Sequence, residues 1–526
     1  MKKRGIRSFL SMVMAVLLTG MLLAAPAGAV SGDASDSTAE DIIDCVVENM
    51  SLISQVPRPS HHEEKISAFL TDWAKQCGFS PIQDEALNVC FDIPATEGME
   101  NYPLMVLQGH MDMVVAVADG KDFDPLEDPI TLIRDDEAGT LTADGTSLGS
   151  DDGSALAIMM AIAQGKMNHG PLRIIVTTDE EDGMEGAFSM SADWLEGVAY
   201  LINIDNECSD EVLVSTAAGD SVRGTGAADM REASGNLALE ISLGGLKGGH
   251  SGMEIDKGRL NGVIGLAGFL KELEEKGIVS ELAAFSGGTA SNAIPTKAVC
   301  SIVIDAADRE TVQTLAEDYQ ARLQQDYEGI EDGILFEVKE LEGIPPVVSS
   351  ETYDSAIRFM TEIADGVQTM SKDMEGLVES SSNLGIFTLD EEGSAFATYV
   401  RSCVAELQTD MIDAQLSLAE ECGYEAEVVK MADAWPFDPE SRLLALTKNI
   451  YREQNGEEVN VVATHVGLEC GTFKQLNPEV DMISIGPDID NAHTINETLH
   501  LASIPKLWNL IDGILSHLNE CCQGDS

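Results

Sequence analysis

The stretch PLMVLQGHMD, residues 103–112, decides the fold. An apolar run reads as a strand, Gly109 follows, and His110 and Asp112 then stand two residues apart. The pattern recurs downstream. LRIIVTTDEED (172–182) runs from an apolar segment into Glu180 and Glu181, and AYLINIDNE (199–207) runs into Asp205. Between the first two runs, GSDDG (149–153) carries Asp151 and precedes an apolar helical segment at 153–164. Near the end of the chain, DNAHT (490–494) carries His493. A mostly parallel α/β sheet delivers side chains to the carboxyl ends of its strands, where such sheets bind ligands. One polar residue in that position means little. Histidines and carboxylates delivered repeatedly to successive strand ends point to a metal site.

Outward from this core, the alternation of strand and helix predicts a mostly parallel sheet with helices on its faces. Helices are expected at about 40–56 and 62–76, separated by Pro57 and Pro59. The pattern changes after a strand at 212–216. From 217 to 430, strands at 236–244, 279–285, 297–304, 332–339, 395–403 and 424–431 alternate with helices at 257–275, 308–327, 350–365 and 405–421. Runs in β-α-β-β-α-β order suggest a ferredoxin-like α+β unit. The first pattern resumes from 431, with strands at 459–463 and 481–485, so the second unit reads as an insertion. The expected organisation is a signal peptide at 1–29, a linker at 30–40, a first α/β part at 41–216, the inserted unit at 217–430 and a second α/β part at 431–526.

The signal-peptide reading rests on basic Lys2, Lys3, Arg4 and Arg7, an apolar run from Phe9 to Ala25, and Ala27-Gly28-Ala29 as a cleavage site. It predicts an exported protein, secreted or held in the cell envelope. The 526 residues are 44% hydrophobic, enough for more than one core. The formal charge of −60 disfavours nucleic acid and anionic membranes as partners. No segment after the leader has the 18 consecutive apolar residues of a membrane span. The ten cysteines form no CxxC pair, which argues against a cysteine-ligated zinc and suits scattered buried thiols.

Two divalent ions about 3.5–4 Å apart can share one water and one carboxylate. Asp151 can bridge them, because Gly149 and Gly153 let the backbone turn tightly around it. His110 and Asp205 can complete one ion, and Glu181 and His493 the other. Asp112 can accept the imidazole N–H of His110 and orient it. Glu180 is then left as a general base. Nitrogen and oxygen ligands without thiolate suit zinc, with manganese or cobalt also acceptable.

The segments PSHHEEKI, VLQGHMDMV, TSLGSDDGSALA, TTDEEDGMEGA, INIDNE, LKGGHSGMEI, SNAIP, VGLECG and SIGPDIDNAH together resemble the M20 family of zinc peptidases. The resemblance runs in family order along nearly all of the chain, and is closest to the aminoacyl-histidine dipeptidases. It implies a zinc-exopeptidase-like catalytic domain with an inserted lid or dimerisation domain. It implies the ligand set and the base just given. It further implies that His250 helps polarise the scissile carbonyl and that Asn292 and Arg401 hold the C-terminal carboxylate of the substrate. His465, beside GLECG, would line the site. The expected function is hydrolysis of dipeptides, of the Xaa-His type and more broadly. An N-acyl-amino-acid hydrolase, a carboxypeptidase or a tripeptidase would use the same groups. An inactive exported metal- or peptide-binding protein is the alternative of another class. Relatives of this type are usually intracellular, so the leader is a departure from the family.

Overall fold

A computed structural model describes residues 38–372, 374 and 376–525. The leader and most of the linker expected from the sequence lie outside these residues. The first described helix, Ala39–Ile53, begins at a capping box in which Thr38 and Asp41 satisfy each other's backbone N–H groups. Its buried residues Ile42, Val46, Asn49, Met50 and Ile53 recur at helical spacing, so one stripe faces the core.

That core surrounds an eight-stranded sheet. Its order is Ile82–Gln83, Val89–Ile93, Leu172–Thr177, Met105–His110, Tyr200–Asn203, Asp481–Ser484, Glu211–Thr216 and Asn460–Thr464. Met105–His110 at the centre is parallel to both neighbours, and Asp481–Ser484 is parallel to Tyr200–Asn203. The Ile82–Ile93 edge is antiparallel. All six residues of Met105–His110 are buried, because both faces of the sheet are covered. Met105 and Leu107 enter the larger apolar core, while Val106 enters a smaller core on the other face with Trp435 and Phe473. Each such buried aliphatic side chain contributes about 1.5–3 kcal/mol.

Register places the site. His110 pairs with Thr177 and Gln108 pairs with Asn203, so Asp205, two residues past Asn203, is delivered at the same edge as His110. Gly109 is required beside it: a Cβ there would collide with the Asp152 carboxylate. The helix Ser150–Ala161 runs away from this edge, and Asp151 and Asp152 in its first turn depart from helical geometry.

The chain between 218 and 432 builds a second, nine-stranded sheet. Its strand pairs are all antiparallel. The helices Gly262–Glu275, Arg309–Asp326, Ser350–Glu362 and Ala405–Glu421 share one apolar core with this sheet. Strand Leu237–Gly244 sends Leu239, Ile241 and Leu243 into that core. Two long strands here, Ala218–Gly226 and Val378–Asp390, are absent from the sequence reading. Their sequences, AGDSVRGTG and VESSSNLGIFTLD, lack apolar alternation because much of their burial is polar.

A small four-stranded sheet joins Ile489–Asp490, Thr498–His500, Thr140–Ala143 and Leu132–Asp135 in that order. It pins both ends of the 491–497 loop that carries His493. Cys90, Cys300, Cys403, Cys422 and Cys470 are buried thiols, as their scatter suggested. Among the described residues no helix is long and apolar enough to cross a membrane.

Candidate active site

The five residues read as metal ligands converge at the carboxyl edge of the first sheet. His110 Nε2 lies 3.0 Å from Asp151 Oδ1 and 3.5 Å from Asp205 Oδ1. His493 Nε2 lies 3.1 Å from Asp151 Oδ2 and 2.9 Å from Glu181 Oε2. Asp151 therefore stands between two histidines, one carboxylate oxygen toward each. His493 adopts the left-handed backbone conformation at φ 63°. That geometry costs a non-glycine residue roughly 1–2 kcal/mol, and such outliers gather at functional sites.

Asp112 is fully buried and holds several parts of the site together. Its Oδ1 lies 3.4 Å from His110 Nδ1 and accepts the backbone N–H of Glu180 at 3.2 Å. Its Oδ2 accepts from Ser60 Oγ at 2.8 Å and from the N–H of Glu181 at 3.4 Å. The residue that would orient His110 thus also fixes the backbone of the two glutamates. His110, Glu180 and Asp205 have donor atoms within 4.8 Å of one another, as do His110, Asp151 and Glu181.

The electrostatics follow from crowding. Burial opposes charge on His110, yet Asp205, Asp112 and Asp151 push its imidazole well above its ordinary value. Burial would raise Asp151, but the hydrogen bonds to His110 and His493 hold its carboxyl below the usual range. Hydrogen bonds to Asp151 and Glu181 push His493 up to about 11. Burial raises Asp205 to about 6, and burial with the neighbouring Asp205 pushes Glu180 well above its ordinary value. Asp205 Oδ2 and Glu181 Oε1 are buried without a hydrogen-bond partner. Two imidazoles and three carboxylates, two of them with an orphaned oxygen, form a donor set that fits divalent cations.

Of the remaining predicted residues, His250, Asn292 and Arg401 lie in the chain between 218 and 432, and His465 lies outside it, just past strand Asn460–Thr464 of the first sheet. The pair Gly249–His250 runs antiparallel to Ala293–Ile294, and the carbonyl of Asn292 accepts the N–H of Ser251 at 2.8 Å. His250 Nδ1 accepts the N–H groups of Gly252 and Met253, both at 3.2 Å, which leaves Nε2 to carry the proton of the neutral ring. His250 and the exposed Asn292 line a cavity of about 580 Å³. Arg401 is buried, lies over the Tyr399 ring at 4.2 Å and donates to the His465 carbonyl at 3.4 Å. Its Nε has no partner, so donor capacity remains for an anion. His465 Nε2 meets Ser381 Oγ at 2.7 Å, and burial with nearby Arg401 lowers its pKa to about 3. Among the described residues, no hydrogen bond or ion pair joins His250, Asn292 or Arg401 to the candidate ligand cluster. The segment from His465 to Glu469 connects them: Glu469 Oε2 accepts from Gln108 Nε2 at 2.6 Å and Thr177 Oγ1 at 2.8 Å, beneath the cluster.

Sequence reasoning missed four supporting residues. Asp152 accepts the N–H of His110 at 3.1 Å. Buried Arg58 donates to the carbonyls of Met111, Asp112 and Gly149. Glu497 accepts four backbone N–H groups around Asp151. His61 lies 2.9 Å from Asp179 and 2.8 Å from Asp182. The available signals were their places in or beside the PSHHEE, GSDDG and NAHT segments.

Comparisons with known proteins bear on the family and the fold. The sequence model of the family described as Peptidase family M20/M25/M40 matches residues 106–517. The cytosol non-specific dipeptidase of Escherichia coli (strain K12) is 33% identical over 473 residues, 89% of this chain and 96% of that protein. The crystal structure of an aminoacylhistidine dipeptidase from Vibrio alginolyticus superposes with a TM-score of 0.84 at 31% identity, covering 92% of this chain and 98% of that one. An aminopeptidase from Bacillus cereus shares the fold, with a TM-score of 0.52 at 15% identity over 91% of this chain and 99% of that one. The expectation of an exported protein is corrected here. A relative matching 89% of the chain is named as a cytosol enzyme, and the segment that suggested export lies outside the described residues.

Proposed function

The chain belongs to peptidase family M20/M25/M40, and from that premise we propose that Glu180 is the general base of its reaction and that Asp151 would be a ligand common to two metal ions. The reaction is metal-dependent hydrolysis of dipeptides, as the two dipeptidase relatives indicate. The observation that carries the site assignment is the position of Asp151 between His110 and His493, with Glu180 beside the same cluster.

His110 and Asp205 would hold one ion, Glu181 and His493 the other, and zinc suits the set best. Bound there, the ions would polarise the peptide carbonyl and acidify a shared water. Glu180 accepts the proton from the attacking water and passes it to the leaving amine. Asp112 keeps His110 in the required orientation and fixes the backbone under Glu180.

The inserted unit serves as a lid in this reading. His250 would donate from Nε2 to the developing oxyanion. Arg401 and Asn292 would bind the substrate's free carboxylate, which restricts the enzyme to short peptides, and His465 would line the pocket. Support comes from the unpartnered Arg401 Nε and from the cavity shared by His250 and Asn292. Xaa-His dipeptides fall within the proposed substrates. Pairing of two chains through the lid belongs to the same proposal, and the mass in solution tests it.

The test is a substrate panel with metal and with chelator: β-Ala-His, Gly-His, Ala-Leu, a tripeptide and an N-acetyl amino acid. Chelator-sensitive cleavage of the dipeptides is expected. Cleavage of the N-acetyl compound alone would overturn the dipeptidase reading.

A further inference from the structure

Glu497 is buried, with 2% of its surface exposed, and its carboxylate is wholly engaged by backbone. Oε2 accepts the N–H groups of Leu148 and Gly149, both at 2.8 Å. Oε1 accepts those of Ser150 at 2.7 Å and Asp151 at 3.2 Å. These four consecutive amides lead into the helix Ser150–Ala161, where the first N–H groups have no intrahelical acceptor and the helix dipole favours an anion. A glutamine could not serve all four in the same way, since an amide has only one acceptor oxygen.

The carbonyl side of the same turn is gripped from the opposite direction. Arg58 donates to the Gly149 carbonyl and to those of Met111 and Asp112, at 2.9 and 2.8 Å. Gly149 turns at φ 68°, and a Cβ there would fall 2.7 Å from Arg58 Nη2. The turn that presents Asp151 is therefore held by an anion on its N–H face and a cation on its C=O face. Glu497 also sits four residues after His493, in the loop pinned by the small sheet. One short segment thus supplies a histidine to the side chain of Asp151 and an anion to its backbone N–H.

We propose that Glu497 is a positioning residue that sets where Asp151 presents its carboxylate, and so tunes the metal pair without touching it. The inference rests on the reading of Asp151 as the bridging ligand. Its test is Glu497→Gln, followed by three readouts: amide hydrogen exchange at 148–151 in metal-free protein, affinity for Co2+ with the visible spectrum per bound ion, and kcat against KM for a dipeptide. Faster exchange confined to 148–151, Co2+ binding weakened roughly 10- to 100-fold, a changed cobalt spectrum and a fall in kcat with little change in KM are expected. Unchanged exchange, or native affinity and spectrum with only a lower melting temperature, would overturn the proposal. If the native protein binds no Co2+ at all, the metal reading fails, while the exchange arm still decides the clamp. Should Glu497→Gln not fold, exchange in the native protein decides: unprotected amides at 148–151 would refute the clamp.

Discussion

His493 Nε2 stands 3.1 Å from Oδ2 of Asp151, across 342 residues of sequence. Only a fold that returns its C-terminal segment to the central strands can make that contact. The relationship also divides the ligand set, since Asp151 Oδ1 faces His110 instead.

Removal of His493 should therefore empty one position and spare the other. His493→Ala is expected to retain one tightly held metal ion per chain in place of two, with dipeptide turnover largely lost. Metal content by mass spectrometry on dialysed protein checks this.

Asp112 is expected to act through its neighbours, because its oxygens reach His110, Ser60 and the N–H groups of Glu180 and Glu181. Asp112→Asn keeps the shape but places a donor where acceptors are needed. It should cost about 10- to 100-fold in metal affinity or kcat, measured by chelator competition and steady-state kinetics.

Arg401 tests substrate selection. A buried guanidinium with an unpartnered Nε offers charge-assisted bonds to a carboxylate, worth about 1.5–3 kcal/mol. Arg401→Lys should raise KM for free dipeptides by roughly 10- to 100-fold, the range those bond energies imply. Preference over the corresponding dipeptide amides should shrink in parallel.

Asp365 gives a pH dependence through folding stability. Burial pushes its carboxyl up to about 6, against hydrogen bonds from Leu384 N–H and Asn261 that pull it down. The folded state therefore binds this proton more tightly than the unfolded state, whose carboxyl titrates near 3.9. The stability from this site is fully present below about pH 4 and is lost as pH rises through about 6. Asp365→Asn removes the charge and should stabilise the protein at pH 7–8 by on the order of 1–3 kcal/mol, with no gain at pH 4. Thermal unfolding at both pH values checks this.

Much of the proposed ligand set was legible because each of His110, Glu181 and Asp205 follows an apolar run long enough to read as a strand. Asp151 was legible through its glycines, and His493 only through the company of the others. The clamp was not. Glu497 works through backbone amides of residues almost 350 positions away, a contact that leaves no pattern in local composition. The strand Val378–Asp390 was hidden for a related reason: serines 380–382 and Asn383 are buried through polar contacts, so hydrophobic periodicity carries little trace of it. The export reading failed on a different ground, since a basic and apolar N-terminus is composition alone.

The central claim is tested most directly by Glu180→Gln. Turnover of Ala-Leu and metal content are measured on the same samples of native and variant protein. The account predicts two ions bound in both, with kcat lower by about 10²- to 10⁴-fold in the variant. Native turnover in a variant that keeps its metals would contradict it.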